Sequence, residues 1–435
     1  MSALVEKVRR FAEAQDLLDE HRMLVGISGG ADSLSLADIL LRLGHSVSAM
    51  HINFRLRGEA SDADEEFVRL WCGSRGIPLV VRSFDTAIVA EERRLSIQEA
   101  ARDLRYEAFA AEAEAAGVRT VAVGHHRDDQ VETVLLNLFR GAGPEGLAGM
   151  PVQRMLTESV RVIRPLLCLM RTEVEAYAGE RGLEWREDAS NLKSFYRRGA
   201  LRAEIIPLIE KHFGAGVREN IARSADLMRE YVDRSLAPDI ATAIEEAATA
   251  EGMGGRLHLD VLHRLNPVVR GRVVLEALRR WIPGAHASFQ SVREVERLLE
   301  AQPGRHLQYA GGEVWRERDC LLFTPSENHG SGVETRFEIG DSVPVREGIV
   351  TAGRLEAVPE DLDAGSDVAF VDAAQLEMPL IVRRWRAGDR FSPLGMDHTK
   401  KLSDFLTDER VSPHEKAETN VVESGGRIVW VVGRR

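Results

Sequence analysis

The sequence predicts an α/β fold: a doubly wound parallel sheet, followed by a helical domain and a small α+β C-terminal domain. Three observations predict it. Short apolar runs alternate with helical stretches through the first half of the chain. Those helical stretches stop at glycines, Gly44, Gly73, Gly117 and Gly141. The texture then changes near residue 213 and again after the polar run Pro325–Val333. A strand–helix–strand–helix order implies parallel strands covered by helices on both faces.

Met23–Ile27 is a short apolar run that ends in Ser28-Gly29-Gly30, and reads as a strand meeting a turn. Leu34–Leu43 reads as a buried helix closed by Gly44 at its C′ position. Ser46–Ile52 is a second strand, Glu65–Cys72 lies in a helix closed by Gly73, and Ile77–Val81 is a third strand. Ile97–Ala116 is a long helix stopped by Gly117; Thr120–Val123 is a fourth strand; Asp128–Arg140 is a helix ended by Gly141; Val160–Ile163 is a fifth strand. Residues 218–250 are rich in Ala, Glu and Arg at helical spacing and 257–301 are mostly helical. Residues 334–435 alternate short apolar runs with Gly and Pro turns. The expected domains are therefore 1–213, 214–330 and 334–435, within the two to four that about 150 residues per domain allows for 435 residues.

Apolar residues at 44% and charged residues at 29% are ordinary for a globular protein. The net charge of −12 argues against a protein that coats nucleic acid through an overall basic surface, but not against a local basic face. Cys72, Cys168 and Cys320 lie far apart, which excludes a zinc ribbon, a redox dithiol or a disulfide framework and suits small core hydrophobes. No apolar run approaches the length of a membrane span, and the N-terminal segment carries Glu6, Glu13, Asp16, Asp19 and Glu20 where a leader would be apolar or basic. The expectation is a cytoplasmic protein with no membrane partner.

Ligands of such sheets sit at the carboxyl ends of the strands. Ser28-Gly29-Gly30-Ala31-Asp32-Ser33 follows the first strand. Glycines let successive N–H groups face one anion, and the helix start adds partial positive charge. The Ser28 and Ser33 hydroxyls are candidate donors to phosphate. Asp32 would repel phosphate, so it suggests a Mg²⁺ partner or a capping role. The loop lacks the Gly-Lys-Ser/Thr of a Walker A. A second cluster, Gly124 to Thr133, follows the fourth strand. Asp129 and Glu132 are three apart on a helix and share one face, which suits an ammonium substrate or Mg²⁺. The plain alternative is that Asp128 caps this helix and the other acids are solvated. His125 and His126 lack the spacing of a helical zinc site. Gly141–Gly146 fits G-x-G-x-x-G but follows a helix and contains Pro144, the wrong context for dinucleotide binding.

These residues carry a resemblance. The hexapeptide Ser28–Ser33 resembles the SGGxDS loop of the N-type ATP pyrophosphatases, the PP-loop or adenine nucleotide alpha hydrolase-like enzymes. Gly124–Gly141 resembles the GHHxDDQxETxxxxLxRG segment of the tRNA(Ile)-lysidine synthetase family. His51–Arg57, with Phe54 in place of the usual His, Glu99–Arg102 with Arg105 and Tyr106, and Gly146–Met150 are similar to further segments of that family. So are Asp188–Asn191 with Tyr196, Arg198, Leu201 and Arg202, where Gly199 replaces the usual Asn. Gly388–Phe391 with Pro393, Lys400-Lys401 and Asp404–Leu406 resembles its C-terminal domain.

The resemblance implies an ATP-dependent ligase that joins free L-lysine to the cytosine at the first anticodon position of a tRNA(Ile) with a CAU anticodon. It implies ATP as co-substrate, Mg²⁺ placed by Asp32, phosphate binding by Ser28–Ser33, and lysine held by Asp129 and Glu132. Arg102 and His125 join Asp32 and Asp129 as catalytic candidates, Arg102 by neutralising charge that develops on leaving pyrophosphate. Without the resemblance, Arg102 reads as a surface partner of Glu99. The tRNA would be gripped by Arg198, Arg202, Arg384, Lys400 and Lys401. Residues 161–202 and 381–435 each carry a net charge of +3. Within the second, Trp385 among Arg383, Arg384 and Arg386 reads either as a platform for a base or as a core side chain. Rival readings are a tRNA thiolase, a glutamine-fed synthetase and an RNA-binding module with a vestigial ATP site. The first two would need a Cys pair or an amidotransferase domain, neither of which the sequence contains. The oligomeric state is left open, with a homodimer as one arrangement.

Overall fold

The computed structural model describes residues 2–18, 20–186, 197–326, 334–345, 348–359, 365–393 and 398–434. The chain divides into two compact units, Met1–Ser235 and Leu236–Arg435. The first unit begins with helix α1 (Ala3–Ala14), strand β1 (Arg22–Gly26), α2 (Ala31–Arg42), β2 (Ser46–Asn53), α3 (Glu59–Gly73) and β3 (Leu79–Ser83). It continues with α4 (Thr86–Arg93), α5 (Ile97–Ala115), β4 (Thr120–Ala122), α6 (Arg127–Phe139), α7 (Pro144–Leu147), β5 (Gln153–Met155) and β6 (Arg161–Ile163). It ends with α8 (Arg171–Glu180), α9 (Arg197–Ala200), a wide turn at Leu201–Ile205, α10 (Ile206–Phe213) and α11 (Val217–Tyr231).

Its six strands run in the order β3-β2-β1-β4-β6-β5. All are parallel to their neighbours except β5, which pairs antiparallel with β6 at the edge. Alternate β1 residues bury opposite faces, as strand geometry requires. Met23 and Val25 join the core under α1, α2, α3 and α8, while Leu24 joins the core under α5 with Tyr106 and Phe109. The expected doubly wound sheet is thus present. Helix α3 ends at Gly73, where the sequence placed its stop, and the chain reverses at Gly76, whose φ is +65°. Strand β5 was not anticipated, because its three residues are polar or exposed and show no apolar run.

Helix α11 lies beyond the sequence break at 213, yet it packs on α6 and α7. Arg127 binds Glu219 at 2.9 Å and Asp226 at 2.9 Å, and Arg218 binds Asp128 at 2.8 Å and Glu210 at 2.6 Å. The two acids that meet Arg127 are about half exposed, at 45% and 51%.

The second unit opens with α12 (Ala237–Ala247), β7 (Ala248–Glu251), β8 (Gly254–His258), α13 (Leu259–Arg264), α14 (Pro267–Trp281) and α15 (Phe289–Leu299). Strands β9 (His306–Tyr309), β10 (Gly312–Arg316) and β11 (Cys320–Pro325) follow. The middle region is helical, and it also carries a five-stranded sheet, β7-β8-β11-β10-β9. Then come β12 (Thr335–Phe337), β13 (Ser342–Val345), β14 (Gly348–Thr351), β15 (Leu380–Arg384), β16 (Arg390–Phe391) and β17 (Lys400–Lys401). The chain closes with α16 (Leu402–Asp408), α17 (Pro413–Glu418), β18 (Asn420–Ser424) and β19 (Arg427–Val431). Strands β12-β15-β18-β19 form an antiparallel sheet, giving the expected α+β end. Among the described residues no helix is long and apolar enough to cross a membrane.

Candidate active site

The strand order reverses between β1 and β4, and the two motif loops leave the sheet there, at the carboxyl ends of adjacent strands. After β1 the chain turns through Gly29, whose φ of +90° excludes most side chains, and Gly30 caps α2. No side chain caps α2, so its first N–H groups remain open to an anion. The two serines divide the work expected of both. Ser28 is exposed, whereas Ser33 is buried and holds the loop in shape. The Ser33 hydroxyl accepts from Ser28 N at 3.1 Å, lies 3.2 Å from Ser28 Oγ and donates to Gly30 O at 3.1 Å.

Gly124 joins this loop to the second motif by close packing. A Cβ there would lie 2.9 Å from the Asp32 carbonyl carbon and 3.0 Å from Ser33 N, so only glycine lets β4 pass the start of α2. The chain then enters α6 through His126, whose N–H donates to Asp129 Oδ2 at 3.0 Å. His126 is buried and stands among three carboxylates. Its Nε2 lies 3.5 Å from Asp129 and 3.8 Å from Asp32, and its Nδ1 lies 3.8 Å from Asp128. Asp128 is structural: it accepts from Arg171 N at 2.8 Å and pairs with Arg218. Gln130 anchors the Gly146–Met150 loop by accepting from Met150 N at 2.7 Å.

Glu132 is 2% exposed. Its Oε1 accepts from Arg202 Nε at 2.7 Å, and its Oε2 has no partner among the described residues. Arg202 also lies 3.7 Å from Asp129. An arginine expected on an RNA-facing surface is therefore the counter-charge of the acid pair. Burial and the nearby Asp129 push the Asp32 carboxyl up, against His126. Burial also pushes Asp129 up, but His126, a backbone N–H and Arg202 outweigh it and hold Asp129 below its usual range.

Basic side chains gather around His125, Tyr106 and Phe54. His125 Nδ1 accepts from Arg164 Nε at 3.2 Å. The Arg102 guanidinium lies 5.1 Å from the centre of the Tyr106 ring and Arg154 lies 4.3 Å from it, while Arg105 lies 5.4 Å from the Phe54 ring. Arg102 is exposed and does not pair with Glu99, which instead closes a capping box on Ser96. Phe54 thus supplies a surface for Arg105. Sequence reasoning passed over His126 and Arg164. The available signal for Arg164 was its place directly after a strand.

Arg198 is exposed and donates to Thr133 Oγ1 at 3.1 Å. Asp188–Asn191 and Tyr196 lie outside the described residues. In the second unit, Arg384 pairs with Glu418 at 2.6 Å, Lys400 pairs with Asp408 at 2.5 Å, and Lys401 is exposed. Trp385 resolves to the core reading: it packs against the cluster of Phe391, Leu402 and Phe405, and its indole N–H donates to Lys416 O. Arg383 is buried between Asp389 and Glu423, leaving only Arg384 and Arg386 of that run facing outward.

Among the described residues no three His, Cys, Asp or Glu side chains are arranged to hold a metal. One semi-exposed carboxylate beside an anion cradle is the donor set Mg²⁺ uses when substrate phosphates and waters complete its shell, and Asp32 fits that description.

Residues 3–209 match the family described as PP-loop domain, and residues 380–435 match the TilS substrate C-terminal domain. The chain is 35% identical over 438 residues to the tRNA(Ile)-lysidine synthase of Parabacteroides distasonis, covering 99% of this chain and 95% of that one. It is 33% identical over 437 residues to the enzyme of the same name from Bacteroides thetaiotaomicron, with 99% and 95% covered. Against that of Geobacter sulfurreducens it is 32% identical over 457 residues, with 100% and 93% covered.

Proposed function

We propose the reaction from the family to which the chain belongs, the tRNA(Ile)-lysidine synthases: ATP-dependent ligation of free lysine to C2 of the cytosine at the first anticodon position of tRNA(Ile). The cytosine O2 attacks the α-phosphorus of ATP and pyrophosphate leaves. The lysine ε-amine then attacks C2, and AMP leaves with the former O2. Adenylation is needed because the carbonyl oxygen is a poor leaving group by itself. The modified base pairs with A in place of G, which changes the codon read from AUG to AUA. The partner is a tRNA(Ile) with a CAU anticodon, and the setting is the cytoplasm.

One observation carries this reading: the open start of α2 and the Asp129–Glu132 pair meet at one point of the sheet, bridged by His126 at 3.8 Å from Asp32 and 3.5 Å from Asp129. The open N–H groups at the start of α2, with the exposed Ser28 hydroxyl, receive the phosphates. When bound, Mg²⁺ held by Asp32 would neutralise charge on the phosphate oxygens. Glu132, through the oxygen that Arg202 leaves unpartnered, and Asp129 receive the lysine ammonium. A carboxylate takes the proton the amine must lose. Arg102 faces the developing negative charge from the exposed side of α5. The target base is unstacked to reach the site, as enzymes acting on single bases require. The later domains, through Arg384, Lys400 and Lys401, and Arg198 of the first unit hold the tRNA backbone.

The test is AMP and pyrophosphate formation from ATP, with mass spectrometry of the anticodon nucleoside. Pyrophosphate should require the tRNA transcript, whereas AMP and the lysine-bearing nucleoside should require lysine and transcript together. AMP released at the same rate without lysine refutes ligation.

A further inference from the structure

We propose that Arg164 is a positioning residue that fixes the His125 imidazole as its Nε2–H tautomer, so that His125 meets the reacting groups as a neutral hydrogen-bond donor and not as a base. The inference rests on the proposed reaction only for what His125 faces; the tautomer itself follows from the geometry.

A guanidinium has donors and no acceptor. The Arg164 Nε–H points at His125 Nδ1 from 3.2 Å, so that nitrogen must offer its lone pair. A neutral imidazole then carries its one proton on Nε2. Arg164 has little freedom to turn away. It is 1% exposed, its Nη1 donates to Pro151 O at 2.7 Å, its Nη2 donates to Tyr106 Oη at 3.3 Å, and its backbone N–H donates to Val152 O at 2.9 Å. The sheet sets this register, because Val123 N donates to Ile163 O at 3.1 Å and brings the residues after β4 and β6 side by side.

The surroundings also oppose a second proton on the ring. Asp129 from α6 favours the cation. Burial, Arg164 after β6, Arg105 from α5 and Arg198 from α9 disfavour it and win, holding His125 well below the usual histidine range. The ring therefore stays neutral through the physiological window, with its basic nitrogen already engaged. The consequence for the chemistry is specific. His125 can give a hydrogen bond from Nε2 to an oxygen that gains negative charge, and it cannot accept the lysine proton. That proton goes to a carboxylate.

The experiment is ¹⁵N–¹H correlation of the full-length protein labelled at histidine, with the His125 signals assigned by their loss in H125Q. In the wild type, His125 should show an acceptor-type Nδ1 and a protonated Nε2, unchanged from about pH 5 to pH 8. A proton on Nδ1, or conversion to imidazolium within that window, overturns the proposal without any substrate present. R164M should release the tautomer and bring a titration into the window. It should also add an acidic limb to the pH profile of kcat while changing the KM for ATP less than threefold. In R164K the limb should shrink, because charge and a donor return. Under the proposed reaction, H125Q, whose amide nitrogen reaches the place of Nε2, should keep at least tenfold more kcat than H125N. The reverse order overturns the donor role, while the spectra judge the tautomer separately from whether lysidine is made.

Discussion

Replacing Gly124 by alanine tests whether the two motif loops act as one site. The added Cβ would meet the Asp32 carbonyl carbon at 2.9 Å and Ser33 N at 3.0 Å, where ordinary contact begins at 3.4 Å. The shortfall of 3.4 − 2.9 = 0.5 Å falls on backbone, so no side chain can rotate to relieve it. Overpacking of this kind costs about 1–3 kcal/mol. For a unit of this size each kcal/mol lowers the melting temperature by about 2–4 °C. Movement falls on the Ser28–Ser33 loop, the proposed phosphate cradle. Since a misplacement of about 1 Å can cost about 100-fold, half of that predicts a loss of about tenfold in kcat/KM. The assay is AMP release with ATP, lysine and tRNA, paired with thermal unfolding. Gly179→Ala is the control: it lies inside α8 with nothing within 4 Å of the new Cβ, and should be neutral or slightly stabilising. If Gly124→Ala matched this control in both activity and melting, the packing argument would be wrong.

Three further outcomes are expected. Arg202→Ala leaves the buried Glu132 carboxylate unpaired and should cost about 3 kcal/mol in chemical denaturation. Adding Glu132→Gln should recover part of that loss, and strictly additive costs would show that the pair is not coupled. The unfolded His125 takes up a proton below about pH 6.5, whereas the native ring, held lower, does not. Native stability should therefore fall as pH drops from about 6.5, and the urea midpoint at pH 5 should recover partly in His125→Gln. Trp385→Ala should lower the melting temperature through a loss of about 3 kcal/mol. An unaltered melting temperature with weakened tRNA binding would restore the platform role.

The sheet was legible because parallel strands buried on both faces are continuous apolar runs, and Met23–Val25 and Val121–Val123 are such runs. Strand β5 was not, because an exposed three-residue edge strand leaves no periodic trace. Helix α11 carries a helical pattern, but its docking on α6 depends on Arg127 and Arg218 finding acids some 90 residues away, which local spacing does not encode. The acid pair was readable from the three-residue interval between Asp129 and Glu132. Its partner was not, since Arg202 reaches Glu132 across 70 residues. The same holds for Arg164 and His125, which meet through strand register and not through sequence proximity.

The semi-exposed ties between α6 and α11 bear on how nucleic-acid affinity is measured in this protein. Surface ion pairs weaken as ionic strength rises and the screening length shrinks to about 10 Å at 0.1 M. The release of counterions from a polyanion depends on the same variable, and its slope is commonly converted into a number of phosphate contacts. Here both processes respond together, because α6 carries Asp129 and Glu132 and is braced by those ties. A slope taken from multiple-turnover kinetics would therefore overstate the contacts, whereas equilibrium binding read alongside the unfolding midpoint at each concentration would separate the two.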